Sequence, residues 1–188
     1  MLYLNSIGET FSDYPDPESI AVIVSFYGCI FNCKGCQNPS LQKKEKEFAL
    51  DESTVFSKIK NQCDRSNTDK IVLSGGDPYC MDNKDDLSDM IKLIDDLQNH
   101  GYSVCVYTGS TIDVIENLYK DHSSTPPLYL KCGTYQEESK EKSFGKDDSR
   151  FVLATKNQAF YKSFNEDNRI YRFKKISRDN ALFFEDNK

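Results

Sequence analysis

The sequence has no long hydrophobic run and no excess of positive charge. No apolar segment approaches the roughly 20 residues that a membrane-spanning helix needs. The N-terminus reaches Asn5, Glu9 and Asp13 without the apolar stretch of a secretory signal. The 24 Lys and Arg residues are outnumbered by 30 Asp and Glu, so the formal net charge is −6 and no basic face is expected for a phosphate backbone. We therefore expect a cytoplasmic protein with neither membrane nor nucleic-acid partners.

Histidine is scarce, and the cysteines are odd in number. The two histidines, His100 and His122, lie in polar surroundings far along the chain. In a reducing compartment, seven cysteines are better explained as ligands, nucleophiles or small core residues than as disulfides. Four of them are scattered singly, and we expect these to be buried small hydrophobes: Cys63, Cys80, Cys105 and Cys132.

The hydrophobic pattern predicts one α/β domain that spans residues 1–188, with no internal repeat or linker. Short β-branched runs and three- or four-residue apolar spacing alternate along the chain. The predicted strands are 20–26, 71–73, 104–107 and 128–130, and the predicted helices are 51–60 (with Asp51 or Ser53 as N-cap), 87–97 and 112–119. Such alternation is typical of a parallel sheet with right-handed crossovers, whose sites lie at the carboxyl ends of the strands.

The last third of the chain is less regular. Residues 137–149 are polar and predict a loop, and short strands are expected around 150–154, 169–173 and 181–184. The tail at 155–188 is not assigned to any known pattern.

Three cysteines, Cys29, Cys33 and Cys36, lie within eight positions. Their spacing would also suit the apolar stripe of a helix. The neighbours favour a loop, because Gly and Asn tolerate left-handed backbone and Pro ends a helix: Gly28, Asn32, Gly35, Asn38 and Pro39. On a helix the outer two sulfurs would also lie on the order of 10 Å apart along the axis, too far for one compact cluster.

Three thiolates in one loop indicate a metal centre with one position unfilled. Soft thiolates select zinc, copper(I) or iron–sulfur clusters. A structural zinc site would need a fourth Cys or His, whereas three thiolates on an iron–sulfur cluster leave one iron open to another ligand. A chance group of core cysteines is the remaining alternative.

A glycine-rich loop, SGGDP at 74–78, directly follows the predicted strand 71–73. It is consistent with a simple tight turn. It also suits ligand binding, because Gly75 and Gly76 permit close backbone approach at a strand's carboxyl end and Asp77 can accept hydrogen bonds. Pro78 would stiffen the loop.

The C-x3-C-x2-C spacing of residues 29–36 resembles the signature of the radical S-adenosylmethionine superfamily. The resemblance implies a partial, open parallel β/α barrel and a [4Fe–4S] cluster held by Cys29, Cys33 and Cys36. It further implies that the open iron is chelated by the amino and carboxylate groups of S-adenosylmethionine, which the reduced cluster cleaves to methionine and a 5′-deoxyadenosyl radical.

Four further segments are similar to the anaerobic ribonucleoside-triphosphate reductase activating proteins: CQNP (36–39), LSGGDP (73–78), VYTG (106–109) and LKCGTY (130–135). The similarity runs from about residue 20 to 153. It implies that Gly35, Cys36 and Gln37 contact the adenosyl moiety. It also implies methionine contacts from Gly75, Gly76 and Asp77, with Thr108 nearby. The implied partners are the glycyl radical subunit of an anaerobic ribonucleotide reductase and an electron donor such as a flavodoxin or ferredoxin.

The sequence departs from this family at two places, and two alternative functions remain. Gly35 stands where many superfamily members have an aromatic residue, and residues 148–150 read DSR where the family often has NQR. One alternative is a small-molecule radical enzyme resembling the 7-carboxy-7-deazaguanine synthases. The other is a non-catalytic zinc-binding interaction module that takes Cys63 or Cys80 as its fourth ligand.

Overall fold

The computed structural model describes residues 1–16, 19–79, 83–120, 124–139, 153–167 and 170–176. The strands are β1 Leu2–Thr10, β2 Ala21–Phe26, β3 Ala49–Leu50, β4 Lys70–Gly75, β5 Ser103–Thr108, β6 Tyr129–Cys132, β7 Ala159–Asp167 and β8 Ile170–Ile176. The helices are α1 Glu52–Ser66, α2 Lys84–Asn99 and α3 Ile112–Lys120, with 3-10 turns at Pro39–Leu41, Lys46–Phe48 and Glu137–Ser139. Within these ranges, no helix has both the length and the apolar character to cross a bilayer.

The strands form one eight-stranded mixed sheet in the order β3-β1-β2-β4-β5-β6-β7-β8. The central strands β2, β4, β5 and β6 are parallel, as predicted. Both flanks are antiparallel. Strand β1 pairs antiparallel with β2 and β3, and β7 pairs antiparallel with β6 and β8. The α/β class and the parallel centre are therefore confirmed, an entirely parallel sheet is wrong, and the partial barrel stays a prediction.

The central strands are apolar on both faces because both faces are covered. In β2, Val22, Val24 and Phe26 join the larger core beneath the helices, whereas Ala21 joins a smaller cluster on the opposite face. Strand β4 repeats this division, with Ile71 and Leu73 on the helix side and Val72 on the other. Burial on two faces explains the continuous apolar runs in the sequence.

The helices begin and end at recognisable residues. The Asp51 carboxylate accepts a hydrogen bond from the Thr54 amide at 2.8 Å, so Asp51 rather than Ser53 is the N-cap of α1. That helix runs to Ser66, beyond the predicted end at residue 60, and stops at Asn67 in the left-handed conformation. The predicted helices 87–97 and 112–119 are confirmed as parts of α2 and α3.

Some elements of the chain differ from the sequence-based prediction. Strands β1 and β7 were not predicted, because their polar and apolar residues do not alternate in the manner of a half-buried strand. Of the strand expected at 150–154, residues 150–152 lie outside the described residues, and 153 and 154 form no strand. The strand expected at 169–173 is confirmed for 170–173, within β8, and residue 169 lies outside the described residues. Most of the expected polar loop, its residues 140–149, and the expected strand at 181–184 lie outside the described residues.

Three of the four scattered cysteines are core residues, as predicted. Cys63, Cys105 and Cys132 are buried. Burial raises the pKa of the Cys63 thiol to about 11 and that of Cys132 to about 12, so both stay protonated near neutral pH. Cys80 lies outside the described residues.

We predict that two neighbouring positions of α3 differ sharply in their contribution to stability. Ile115 is fully buried, whereas Val114 is 55% exposed. Ile115→Ala should lower the free energy of unfolding by about 2–5 kcal/mol through lost burial and a cavity. Val114→Ala should change it by no more than about 0.5 kcal/mol. Urea unfolding of the apo-protein measures both values, and similar losses in the two variants would contradict this packing of α3.

Candidate functional site

The three clustered cysteines lie in an irregular loop that directly follows β2. Three residues of this loop adopt positive φ: Gly28 at 107°, Asn32 at 46° and Gly35 at 73°. The only backbone hydrogen bond described between Cys33 and Cys36 is a turn, from the Cys36 amide to the Cys33 carbonyl at 3.2 Å. The helical alternative is therefore wrong, and the predicted loop is confirmed.

The beginning of this loop is held in an extended arrangement by the segment that follows the cysteines. The Gly28 amide donates to the Leu41 carbonyl at 2.8 Å, and the Cys29 amide donates to the Gln42 carbonyl at 3.0 Å. The 3-10 turn Pro39–Leu41 reverses the chain between the cysteine loop and the segment that pairs with it. Cys29 is thus fixed by backbone hydrogen bonds, whereas Cys33 and Cys36 lie farther out in the turn region.

The glycine-rich loop after β4 packs against the cysteine loop, backbone to backbone. The Gly76 amide donates to the Phe26 carbonyl at 2.8 Å, and the Asp77 amide donates to the Gly28 carbonyl at 2.7 Å. A Cβ at Gly76 would lie 2.3 Å from the Gly28 oxygen, and one at Gly75 would lie 2.4 Å from the Phe26 nitrogen. Both positions therefore require glycine, because any Cβ would collide with backbone atoms of Phe26 or Gly28. Their predicted contact with the methionine moiety stays a prediction.

The Asp77 carboxylate connects the ends of β4 and β5. It is 1% exposed and accepts hydrogen bonds from the Thr108 hydroxyl at 2.9 and 3.0 Å and from the Gly109 amide at 2.6 Å. The Tyr79 amide donates to the same carboxylate at 3.0 Å. Asp77 and Thr108 therefore act together to hold two loops in place, and their predicted contact with a cofactor stays a prediction.

One pocket at the carboxyl ends of the parallel strands gathers nearly all of the predicted site residues. Its lining includes Cys29, Cys33, Cys36, Gln37, Gly75, Gly76, Asp77 and Thr108. Gly35 is not part of the lining. A Cβ there would lie 3.2 Å from side-chain atoms of both Tyr135 and Glu137, so this glycine lets the loop approach the segment after β6.

Lys131 is a pocket residue that sequence reasoning missed. It lies on β6 between two buried residues, with Nζ 4.4 Å from the centre of the Tyr107 ring. Burial lowers the pKa of its ammonium. Among the described residues, no carboxylate lies within salt-bridge distance of it. A lysine inside an otherwise apolar strand was the available signal, since a buried cation needs an anionic or aromatic partner.

Two aromatic residues of the pocket were also missed. Phe31, within the cysteine loop, packs directly over Gly109, where a Cβ would lie 2.6 Å from its ring. Tyr107 makes an edge-to-face contact with Phe160 at a centroid distance of 5.9 Å. Both contacts join residues that are far apart in the sequence, so no local pattern predicts them.

The cysteine side chains suit an iron–sulfur cluster. Burial raises the pKa of the Cys29 thiol, although a backbone hydrogen bond from Phe31 opposes the effect, so ligation would release a proton. Within the described part of the chain, no three Cys, His, Asp or Glu side chains converge closely enough to hold a single metal ion. Thiolates that each bind a different iron of one cluster need no such convergence, and three of them line this pocket.

The residues considered as a fourth zinc ligand lie elsewhere. Cys63 belongs to the core beneath α1 and borders a cleft at the amino end of β4, the opposite end of the strand from the cysteine loop. His100 caps the end of α2, where its ring packs on Phe56 with centroids 4.8 Å apart. Cys80 and His122 lie outside the described residues. Cys63 and His100 therefore cannot complete a site with Cys29, Cys33 and Cys36.

We predict that Gly76→Ala disturbs the cysteine loop, because the added methyl group would collide with the Gly28 carbonyl. Iron incorporation after anaerobic reconstitution should fall markedly, and the thermal midpoint of the apo-protein should drop. Gly8→Ala is the matched control, since a Cβ at Gly8 meets nothing within 4 Å. Full iron content in Gly76→Ala would show that the two loops are not closely packed.

The chain matches a known protein family over most of its length. Residues 18–146 match the family described as a 4Fe–4S single cluster domain. No curated protein matches the sequence. Among solved structures, QueE from Escherichia coli is similar with 18% identity and a TM-score of 0.44, over 59% of this chain and 54% of that chain. The chain thus aligns with about half of QueE, a similarity too low to bear on function.

The family match includes Cys29, Cys33 and Cys36, the glycine-rich loop and Lys131. It covers more than half of the 188 residues, and its description agrees with the expected [4Fe–4S] cluster. The protein therefore belongs to the 4Fe–4S single cluster domain family.

Proposed function

We propose that the protein is a radical S-adenosylmethionine enzyme and that its substrate is a glycine of an anaerobic ribonucleotide reductase. One observation supports the assignment as a radical S-adenosylmethionine enzyme. Cys29, Cys33 and Cys36 line the same pocket as the SGGD segment and Thr108, at the carboxyl ends of three adjacent parallel strands. A cofactor bound at that edge would contact residues from all three strand ends.

When bound and reduced, the cluster would supply one electron to the sulfonium of S-adenosylmethionine, and the cleaved cofactor would supply the carbon radical that takes a hydrogen atom from the substrate. The chain's own residues would bind the cluster and S-adenosylmethionine and orient them. Cys29, Cys33 and Cys36 would hold the cluster, while Asp77 and Thr108 fix the loop that forms the adjoining wall. The Lys131 ammonium on the far wall offers a cation to the methionine carboxylate.

The protein substrate is supported by the exposure of the cysteine loop. Ile30 is 65% exposed, and Lys34 is 90% exposed beside Glu137, with Nζ and Oε2 3.9 Å apart. A partner's glycine-bearing loop could approach from this side and exclude water once docked. The segments CQNP, LSGGDP and VYTG also resemble the activating proteins of this reductase. A flavodoxin or ferredoxin would deliver the electron.

A second candidate is a small-molecule radical enzyme of the 7-carboxy-7-deazaguanine synthase kind. Lys131 and Tyr107 are the observation that favours it. Together they present a cation and an aromatic face inside the pocket, which suits an anionic heterocycle. The same lysine cannot serve the methionine carboxylate and a substrate anion equally well.

We predict that replacing any one of Cys29, Cys33 or Cys36 by Ala abolishes S-adenosylmethionine cleavage, measured as 5′-deoxyadenosine formed under reducing, anaerobic conditions. Wild-type protein should carry about four irons and four sulfides per chain. Cys63→Ala is the control, because Cys63 lies in the core away from the pocket. Equal loss in all four variants, or stoichiometric zinc without sulfide, would contradict the ligand assignment.

A separate experiment distinguishes the two substrates. Reconstituted protein, reductant and S-adenosylmethionine are mixed with a cognate anaerobic ribonucleotide reductase, and the glycyl radical is sought by electron paramagnetic resonance. We expect a doublet from the partner that depends on Cys29. Cleavage to 5′-deoxyadenosine without any partner radical would favour the small-molecule candidate.

A further inference from the structure

Lys44 forms a nearly buried ion pair close to the cysteine loop. Its Nζ lies 2.8 Å from Oδ2 of Asp86, and the two side chains are only 10% and 5% exposed. Charges removed from water to this degree must be paired. Lys44 lies two residues beyond Gln42, whose carbonyl accepts the hydrogen bond of the Cys29 amide. Neither Lys44 nor Asp86 was singled out by the sequence.

The stem of Lys44 covers Gly28, the residue immediately before Cys29. A Cβ on Gly28 would lie 2.9 Å from Cε and 3.2 Å from Cγ of the lysine. On another side, the Gly28 carbonyl accepts the hydrogen bond of the Asp77 amide and contacts Gly76. Gly28 is therefore confined between a lysine stem and a glycine backbone, in a conformation with φ of 107°.

The ammonium end of Lys44 is attached to a rigid element. Asp86 lies in the first turn of α2, where its amide donates to the Asn83 side chain at 2.7 Å and its carboxylate accepts from Asn83 Nδ2 at 3.0 Å. The amino group of Met1 lies 3.2 Å from the other carboxylate oxygen. Burial alone would raise the pKa of Asp86, but these cations hold it below its usual value. Asp86 thus remains a charged, fixed anchor.

We propose that Lys44 is a positioning residue that couples the start of α2 to Cys29 through Gly28. Asp86 fixes the ammonium, the ammonium fixes the stem, and the stem limits the movement of the backbone that carries the first cysteine. The inference rests on the assignment of Cys29, Cys33 and Cys36 as cluster ligands made under the proposed function.

Two variants and one matched control test this role. Lys44→Met keeps an unbranched stem and removes the positive charge. Lys44→Arg keeps both the unbranched stem and the charge. The control is Lys92→Met, because Lys92 likewise pairs with a nearly buried carboxylate, that of Glu52 at 9% exposure, but between α1 and α2. Lys44→Met should destabilise the fold more than Lys92→Met, because the Lys44 side chain is 10% exposed and that of Lys92 is 59% exposed.

The first readout uses the apo-protein, in which alkylation of each cysteine is followed by peptide mass spectrometry at fixed pH. Loss of the charged hydrogen bond should speed Cys29 alkylation about tenfold in Lys44→Met. Lys44→Arg should restore the wild-type rate, and Lys92→Met should leave it unchanged. The second readout is the midpoint potential of the reconstituted cluster, which should shift in Lys44→Met alone.

The outcomes separate this inference from the proposed function. If wild-type protein carries no cluster, the proposed function fails. If it carries one, and Lys44→Met and Lys92→Met give the same Cys29 rate and potential, the positioning role is wrong. Should Lys44→Met not fold, Asp86→Asn is measured instead, with the same expected acceleration at Cys29. Unfolding of both variants would assign the pair to stability and overturn the inference.

Discussion

The contact between the backbones of Gly28 and Gly76 is the constraint on which the site depends. No side chain fits between these residues, because any Cβ at Gly76 would overlap the Gly28 carbonyl. The contact sets the distance between the loop after β2 and the loop after β4, and with it the shape of the pocket. Asp77 extends the same constraint to β5, since its buried carboxylate binds both Thr108 and Gly109.

Much of the fold follows from local sequence. The central strands β2, β4, β5 and β6 are largely apolar on both faces, so their apolar runs can be recognised in the sequence. Helix α2 is predictable from the spacing of its apolar residues and from Gly101 beyond its C-terminal end. Strand β1 is different, because its burial depends on pairing with β2 and β3. In the antiparallel flanks, β1 and β7 were therefore missed, whereas β8 was expected in part.

The sequence predicted that the three cysteines share one loop, but it did not predict the contacts that support that loop. The spacing of Cys29, Cys33 and Cys36 carries the chemistry within eight residues, and no tertiary information is needed to see it. The pairing of Asp77 with Thr108 spans 31 positions, and that of Lys44 with Asp86 spans 42. Such pairs arise from strand order and loop packing. The sequence therefore indicates the candidate ligands and says little about the contacts that hold their loop in place.

The short spacing of the three cysteines has a consequence for how cofactor loading relates to folding. Thiols separated by two or three residues remain near one another in an unfolded chain, so the denatured state keeps part of its affinity for iron. A ligand that binds both states stabilises the native one only by the difference in affinity. We expect that difference to come from distant residues that pack against the loop, such as Gly76 and Asp77. Iron binding can consequently begin before the chain has folded. Formation of a defined cluster, in contrast, requires the folded loop.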